Sequence, residues 1–187
     1  MPSTFVQVLV DEHRGFKVML SVLEAIAARL ARQQEVPAPM LSGVVEFFET
    51  FTERHHGREE HTLFPVLERH GVTHDQTVID VLLAQHDAGR AYCRKMRSDL
   101  ARHLNGEPSG AEDFAAHARG YSELIREHIR IEDEYFYSLA DKLMTHAERQ
   151  TILDAFSDND SQRAAGDDRE RFLRMLDEYP GVVAGWR

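Results

Sequence analysis

Apolar residues recur along most of this chain at helical spacing, and no stretch alternates apolar and polar residues as a half-buried strand would. In the first segment, about 4–34, Leu9, His13, Phe16, Leu20, Leu23, Ala27 and Leu30 follow steps of 4, 3, 4, 3, 4 and 3, the inward stripe of a bundle helix. Pro37 and Pro39 in EVPAPM end it. The second segment, about 38–69, carries the stripe Leu41, Val45, Phe48, Thr52, His55, Glu59, Leu63 and Val66; Pro65 predicts a kink or an early end, and Gly71 closes the segment. Thr73 with Gln76 reads as a capping box opening a third segment that runs to about 104, with Ile79, Leu82, His86, Cys93, Met96 and Leu100 inward. After the turn NGEPSG, Ser109 with Glu112 is expected to cap a fourth segment reaching about 144. Its stripe is Phe114, His117 or Ala118, Tyr121, Ile125, His128, Glu132, Tyr135, Leu139 and Leu143.

Four long segments joined by short turns predict an all-α, up-down-up-down four-helix bundle over residues 1–145. The pattern then changes. Residues 145–156 carry a capping box (Thr145, Glu148) and a short amphipathic helix, 158–168 read as a loop, 169–179 as another short helix, and 180–187 as a tail. Residues 146–187 are thus expected to be a helical appendage packed on the bundle, offering a contact through which the chain forms a homo-oligomer.

Composition narrows the function. The chain has 187 residues, enough for one domain with a sizeable core. No apolar run approaches a transmembrane helix, and the N-terminal residues do not read as a signal peptide. The formal charge of −10 opposes binding to nucleic acid or to an anionic membrane. Cys93 is the single cysteine, which rules out an internal disulfide and fits the cytoplasm.

The chemistry lies in a repeat. His13 and His86 are 73 apart (86 − 13), as are His55 and His128 (128 − 55) and Glu59 and Glu132 (132 − 59). Each half offers one His and then a His-x-x-x-Glu pair, whose members lie on one helical face one turn apart. All six sit on the apolar stripe. A buried unpaired carboxylate costs several kcal/mol or becomes neutral, so this layer asks for a cation. Four imidazoles and two carboxylates make two sets of two His and one carboxylate, a donor set that suits non-haem iron with open positions; manganese or a mixed pair is the alternative, and zinc fits less well. In HHGREEH, His56 and Glu60 share the same spacing but are rotated about 100° from His55 and Glu59. They are expected around the site or at the surface, with Glu60 the alternative ligand. Tyr135 is placed to reach an oxygen species, Arg90 to pair with a carboxylate or an anionic ligand, and His117 to flank the site.

The His in LVDEHRGF, the segment HHGREEHTLFP, the His in LLAQHDAGR and the segment EHIRIEDEYFY together resemble the hemerythrin-like, HHE cation-binding family over about residues 5–144. The resemblance implies a four-helix bundle with a carboxylate-bridged, oxo- or hydroxo-bridged di-iron centre. It carries ligand roles to His13, His55, Glu59, His86, His128 and Glu132. Oxygen-carrying members have a second His one turn along the third helix, where this chain has Arg90, and a His-x-x-x-x-Asp pair on the fourth, where it has His128 and Glu132. That favours redox chemistry over simple oxygen carriage, nearer to members linked to iron sensing and nitrosative repair, although the cysteine-bearing N-terminal segment of those repair proteins is not found. The expected function is a di-iron protein binding O2, NO or peroxide in oxidative or nitrosative stress or in iron homeostasis. The alternatives are a metal-dependent sensor or interaction module and a peroxide-decomposing di-iron enzyme.

Overall fold

A computed structural model describes residues 4–72, 78–163 and 166–186, and all the regular structure in them is helical. Helix α1 is Thr4–Ala31. The second segment, α2 (38–69), is α-helical over Ala38–Phe47, Glu53–Arg58 and Phe64–Arg69, with π-helical turns at Phe48–Thr52 and Glu59–Leu63 between them. Helix α3 is Val78–Leu104. The fourth, α4 (110–143), comprises Gly110–Ile131, a π-helical turn Glu132–Phe136 and Tyr137–Leu143. Helices α5, His146–Arg163, and α6, Gly166–Ala184, complete the chain.

The π-helical turns change which face each segment buries. Such a turn closes on the fifth residue instead of the fourth, so it holds one residue more than an α-turn and advances the stripe by one position. On α4 the expected inward residues Tyr135, Leu139 and Leu143 therefore give way to Phe136, Tyr137 and Ala140, and Tyr135 is 56% exposed. On α2 the helix does not stop at Pro65 but continues to Arg69. Proline has no N–H to donate, and the wide turn just before it absorbs the missing rung.

The caps divide. Thr145 and Glu148 form the expected box: the Glu148 carboxylate accepts from the Thr145 N–H at 2.9 Å, and the Glu148 N–H donates to the Thr145 hydroxyl at 3.3 Å. Ser109 makes no such cap; its backbone is already helical and its hydroxyl accepts from Arg102. The box expected at Thr73 and Gln76 lies outside the described residues.

The C-terminal residues are more helical than their composition suggests. The stretch 158–163 contains neither Gly nor Pro, so polarity alone does not end α5 before Arg163. The expected tail is also helix as far as Ala184, with Pro180 inside it, because Val183 and Trp186 pack against the core and hold the last turn.

Two apolar clusters form the interior. One holds Phe16, Leu20, Leu23, Val44, Phe48, Met96, Leu100, Phe114, Ile125 and, from α6, Phe172 and Met175. The other holds Phe5, Leu9, Leu63, Phe64, Ile79, Leu82, Phe136, Tyr137 and, from α5, Ile152 and Phe156. Buried polar residues lie where one cluster gives way to the other: His13 on α1, several from Thr52 to Glu59 on α2, His86 on α3, and His128 and Glu132 on α4. α4 packs on both α1 and α3, and α6 packs on α1 and α2.

Candidate metal centre

The buried polar layer consists of His13, His55, His56, Glu59, His86, His128 and Glu132, each no more than 2% exposed. All six residues singled out by the repeat meet there in two overlapping groups. His13, His55 and Glu132 form one, and Glu59, His86, His128 and Glu132 the other; within each, one ligand atom per residue lies within 4.8 Å of every other. Donors about 2.0–2.2 Å from a common ion are separated by at most roughly 4.4 Å, so little contraction is needed to surround one.

The orientation of the imidazoles supports the same chemistry. Each of the four from the repeat directs Nδ1 outward to a side-chain oxygen: His13 to Asp133 at 2.8 Å, His55 to Glu12 at 2.8 Å, His86 to Glu60 at 2.7 Å and His128 to Gln85 at 3.1 Å. An acceptor there holds the proton on Nδ1 and leaves the lone pair on Nε2, the arrangement that orients metal-bound histidine. The inner atoms converge. His13 Nε2 and His55 Nε2 are 3.0 Å apart; Glu132 lies 3.2 Å from His13 Nε2 and from His128 Nε2, and Glu59 3.4 Å from His86 Nε2. In these ion-pair contacts His86 Nε2, His128 Nε2, Glu59 Oε2 and both oxygens of Glu132 make no well-aligned hydrogen bond. Unsatisfied buried polar atoms are rare in folded proteins, and this many converging on one layer is what a bound cation would relieve. The donors present therefore fit a metal.

Without a cation, protons carry the compensating charge. Burial alone would lower the His13 and His86 pKa values, but Asp133 and Glu132 beside the first and Glu59 and Glu60 beside the second push each up to about 9. Glu132, fully buried, is nevertheless held well below the usual carboxylate range by His128 and His13. Glu60, despite its partial burial, is held at about 2 by His86 and Arg90, and Glu12, more deeply buried, is held at about 2 by His55 and Arg58. A cation entering this layer displaces imidazole protons, which couples its binding to pH.

The surrounding residues also repeat. Glu60 and Asp133 are 73 apart (133 − 60), and so are Lys17 and Arg90 (90 − 17). Lys17 donates to Asp133 at 2.7 Å and Arg90 to Glu60 at 2.7 Å, so each outer carboxylate has its own cation. Glu12 and Gln85 are likewise paired (85 − 12), as are Phe64 and Tyr137 (137 − 64). Phe64 stacks on His86, with ring centres 5.9 Å apart, and Tyr137 on His13 at 5.6 Å. Two of the π-helical turns match as well, since Glu59–Leu63 and Glu132–Phe136 begin 73 residues apart (132 − 59). Each opens at a carboxylate of the layer, in keeping with the tendency of such turns to mark functional sites.

Several expectations about neighbours change. Tyr135 faces solvent, and the phenol at the centre belongs to Tyr137, which donates to Glu59 Oε1 at 2.8 Å. Arg90, as expected, pairs with carboxylates, those of Glu53 and Glu60. Glu60 stays outside the layer as the partner of His86, while His56 is inside it. His117 is committed to Asp99 at 2.6 Å, and Tyr121 shares a hydrogen bond with Thr52 at 3.1 Å. From Glu60 and Arg90 the same 73-residue offset leads to Asp133 and Lys17, whereas Glu12, Gln85 and Tyr137 have no such starting point and come to light only in the fold.

Residues 4–140 match a family model described as the hemerythrin HHE cation binding domain. Among curated proteins the chain is similar to Rv1995 of Mycobacterium tuberculosis and Mb2018 of Mycobacterium bovis, both described as uncharacterized. Each is 29% identical over 168 residues, which cover 87% of this chain and 64% of the relative. The chain thus spans about 64% of the length of the curated relatives it matches.

Proposed function

The chain belongs to the hemerythrin HHE cation-binding domain family, and on that premise we propose that it is a non-haem di-iron protein whose centre binds O2, NO or peroxide, in oxidative or nitrosative stress or in iron homeostasis. The observation that carries this reading is the convergence of inward Nε2 atoms and unsatisfied carboxylate oxygens, with each opposing Nδ1 held from outside. The proposed ligands are His13, His55, Glu59, His86, His128 and Glu132. Iron bound by this set supplies redox chemistry and positions left open for a small ligand.

The chain's own residues prepare that site. Asp133, Glu12, Glu60 and Gln85 keep protons on the outer nitrogens. Burial, together with the charges of Glu132 and Glu59, holds the Tyr137 phenol well above its usual pKa, so it remains a donor to Glu59. Phe16 meets the edge of His55 at 5.3 Å and, with Phe64 and Phe136, keeps water from the layer. A small cavity lined by His13, Phe16, Thr52, His55, His56, Ile125, His128 and Ile129 adjoins it.

The order of the two apolar clusters reverses from each of the first four helical segments to the next, which supports an up-down-up-down four-helix bundle over residues 1–145 with 146–187 packed on it. No described helix is long and apolar enough to cross a membrane, and the single buried thiol of Cys93 agrees with a cytoplasmic setting.

Anaerobic loading with Fe(II), metal analysis and absorption spectra before and after NO test the proposal. About two irons per chain and an NO-dependent spectrum are expected; fewer than about one iron per chain, or the same content in His128→Ala, overturns it.

A second reading, a metal-dependent sensor, is favoured by one line of contacts. His55 Nδ1 bonds Glu12, Glu12 accepts from Arg58, and the Arg58 guanidinium lies 5.2 Å from the ring centre of Phe156 on α5. Under this reading metal removal raises amide exchange in α5; unchanged exchange rejects it.

A further inference from the structure

The two halves match in most of what surrounds the centre, which makes one mismatch informative. The residue 73 positions after His56 is Ile129 (56 + 73 = 129). Both are buried, and both line the small cavity beside the layer. An apolar residue fills that place adequately in one half, so packing alone does not call for an imidazole in the other.

His56 also differs from the four repeated histidines in its bonding. Their Nδ1 atoms are held from outside, whereas His56 Nδ1 is buried with no hydrogen-bond partner. Its ring lies parallel to that of His86, with centres 3.7 Å apart and planes 9° apart, so it must turn out of this stack before both rings can direct a nitrogen at one ion; it meets the edge of His128 at 5.2 Å. One nitrogen each from His56, His86 and His128 lie within 4.8 Å of one another, with all three residues buried. Burying an unpaired imidazole nitrogen is costly unless something binds it.

We propose that His56 is a third imidazole ligand at the metal position of His86 and His128. The inference rests on the metal-centre reading above. It makes the two positions chemically unequal. One has His13, His55 and Glu132 with the Tyr137 phenol beside it; the other has His56, His86 and His128, with Glu59 and Glu132 within reach. The third imidazole comes from α2, next in sequence to His55, so one helical turn serves both positions.

Cobalt(II) is the probe, because its visible absorption reports the number and kind of its ligands. His56→Phe keeps an aromatic ring to stack on His86 but removes both nitrogens. Urea midpoints of the metal-free proteins establish that the variant folds. The wild type is expected to bind two Co(II) per chain. His56→Phe should keep one of wild-type affinity and lose about tenfold or more in affinity for the other, with a shifted visible band. Two sites of unchanged affinity and spectrum in His56→Phe overturn the inference and leave the metal centre standing; a wild type that binds no Co(II) or Fe(II) removes the centre itself. Electron–nuclear double resonance on the metal-loaded wild type gives a check that needs no variant. Nitrogen couplings from five imidazoles, those of His13, His55, His56, His86 and His128, support the assignment, and four contradict it.

Discussion

Tyr137→Phe separates what the protein does for Glu59 from what a cation does. Tyr137 is 1% exposed and its hydroxyl donates to Glu59 Oε1 at 2.8 Å, while Glu59 Oε2 makes no well-aligned hydrogen bond. Phenylalanine fills the same ring space, and Phe64 already occupies the corresponding position of the other half, so the change creates no sizeable cavity. The main loss is the hydrogen bond donated to Glu59, about 1.5–3 kcal/mol in the metal-free chain, along with the longer contacts of the hydroxyl at 3.4 Å with His13 Nε2 and His55 Nε2. With a urea m-value of about 2 kcal/mol/M, a 2 kcal/mol loss lowers the midpoint by about 1 M. In the loaded protein the Glu59 charge faces a cation, and the loss should shrink by at least about 1 kcal/mol, measurable as the coupling in a cycle of variant against metal. Urea unfolding of both forms, followed by circular dichroism, gives all four corners. Equal losses with and without metal would refute the claim that Glu59 faces the cation. No loss in the metal-free form would refute the hydrogen bond.

Other outcomes follow from single contacts. Thr145 and His70 hold Glu148 at about 2, a lowered pKa, so its contribution is complete above about 4.5 and lost as pH falls through 2; the Tm difference between wild type and Glu148→Ala should vanish over that window, and a constant difference contradicts the cap. Burial pushes the Cys93 thiol up to about 12, so iodoacetamide at pH 8 should label it far more slowly in the folded than in the unfolded protein. Gly89 lies inside α3, and a Cβ there meets Ile125 Cδ1 at 3.5 Å and Tyr121 Cε2 at 3.8 Å, both ordinary contacts; Gly89→Ala should stabilise by up to about 1 kcal/mol and raise Tm by a few degrees, whereas a lower Tm contradicts that fit.

The helical segments and the layer of ionisable residues were legible because two periodicities coincide: the helical repeat places His13, His55, Glu59, His86, His128 and Glu132 inward, and the 73-residue repeat ties the halves together. The side chains flanking that layer were harder to read. Inward stripes assume 100° per residue, and the π-helical turns opening at Glu59 and Glu132 break that spacing at the layer itself. For this reason the stripe points to Tyr135 where the fold buries Tyr137, and His56, expected around the site or at the surface, lies inside the layer. Glu12 and Asp133 are hidden for another reason. A carboxylate next in sequence to a proposed ligand looks like part of a solvated face until folding brings it to an imidazole of another helix. The C-terminal helices reach further than composition suggests because 158–163 has no Gly or Pro to stop α5, and because packing of Val183 and Trp186 holds the end of α6 despite Pro180.

Glu12 and Gln85 occupy the same place in the repeat and serve the same imidazole nitrogen, yet only Glu12 is charged. The difference lies one contact further out. Glu12 also accepts from Arg58, which is 2% exposed, while the residue 73 positions after Arg58 is Ile131 (58 + 73 = 131). The carboxylate thus serves two masters: His55 needs only an acceptor, and Arg58 needs the charge. Glu12→Gln keeps the first and removes the second. Metal content should stay within about twofold of wild type, since Gln85 shows that an amide suffices for a histidine of this layer. Stability should fall by about 1.5–3 kcal/mol, the range for losing a charge-assisted hydrogen bond. Amide exchange should rise first in α5, whose Phe156 lies against the Arg58 guanidinium. If Glu12→Gln instead loses metal while unfolding at the wild-type urea midpoint, the charge belongs to the centre and not to the helix, and the line from His55 to α5 has no physical basis.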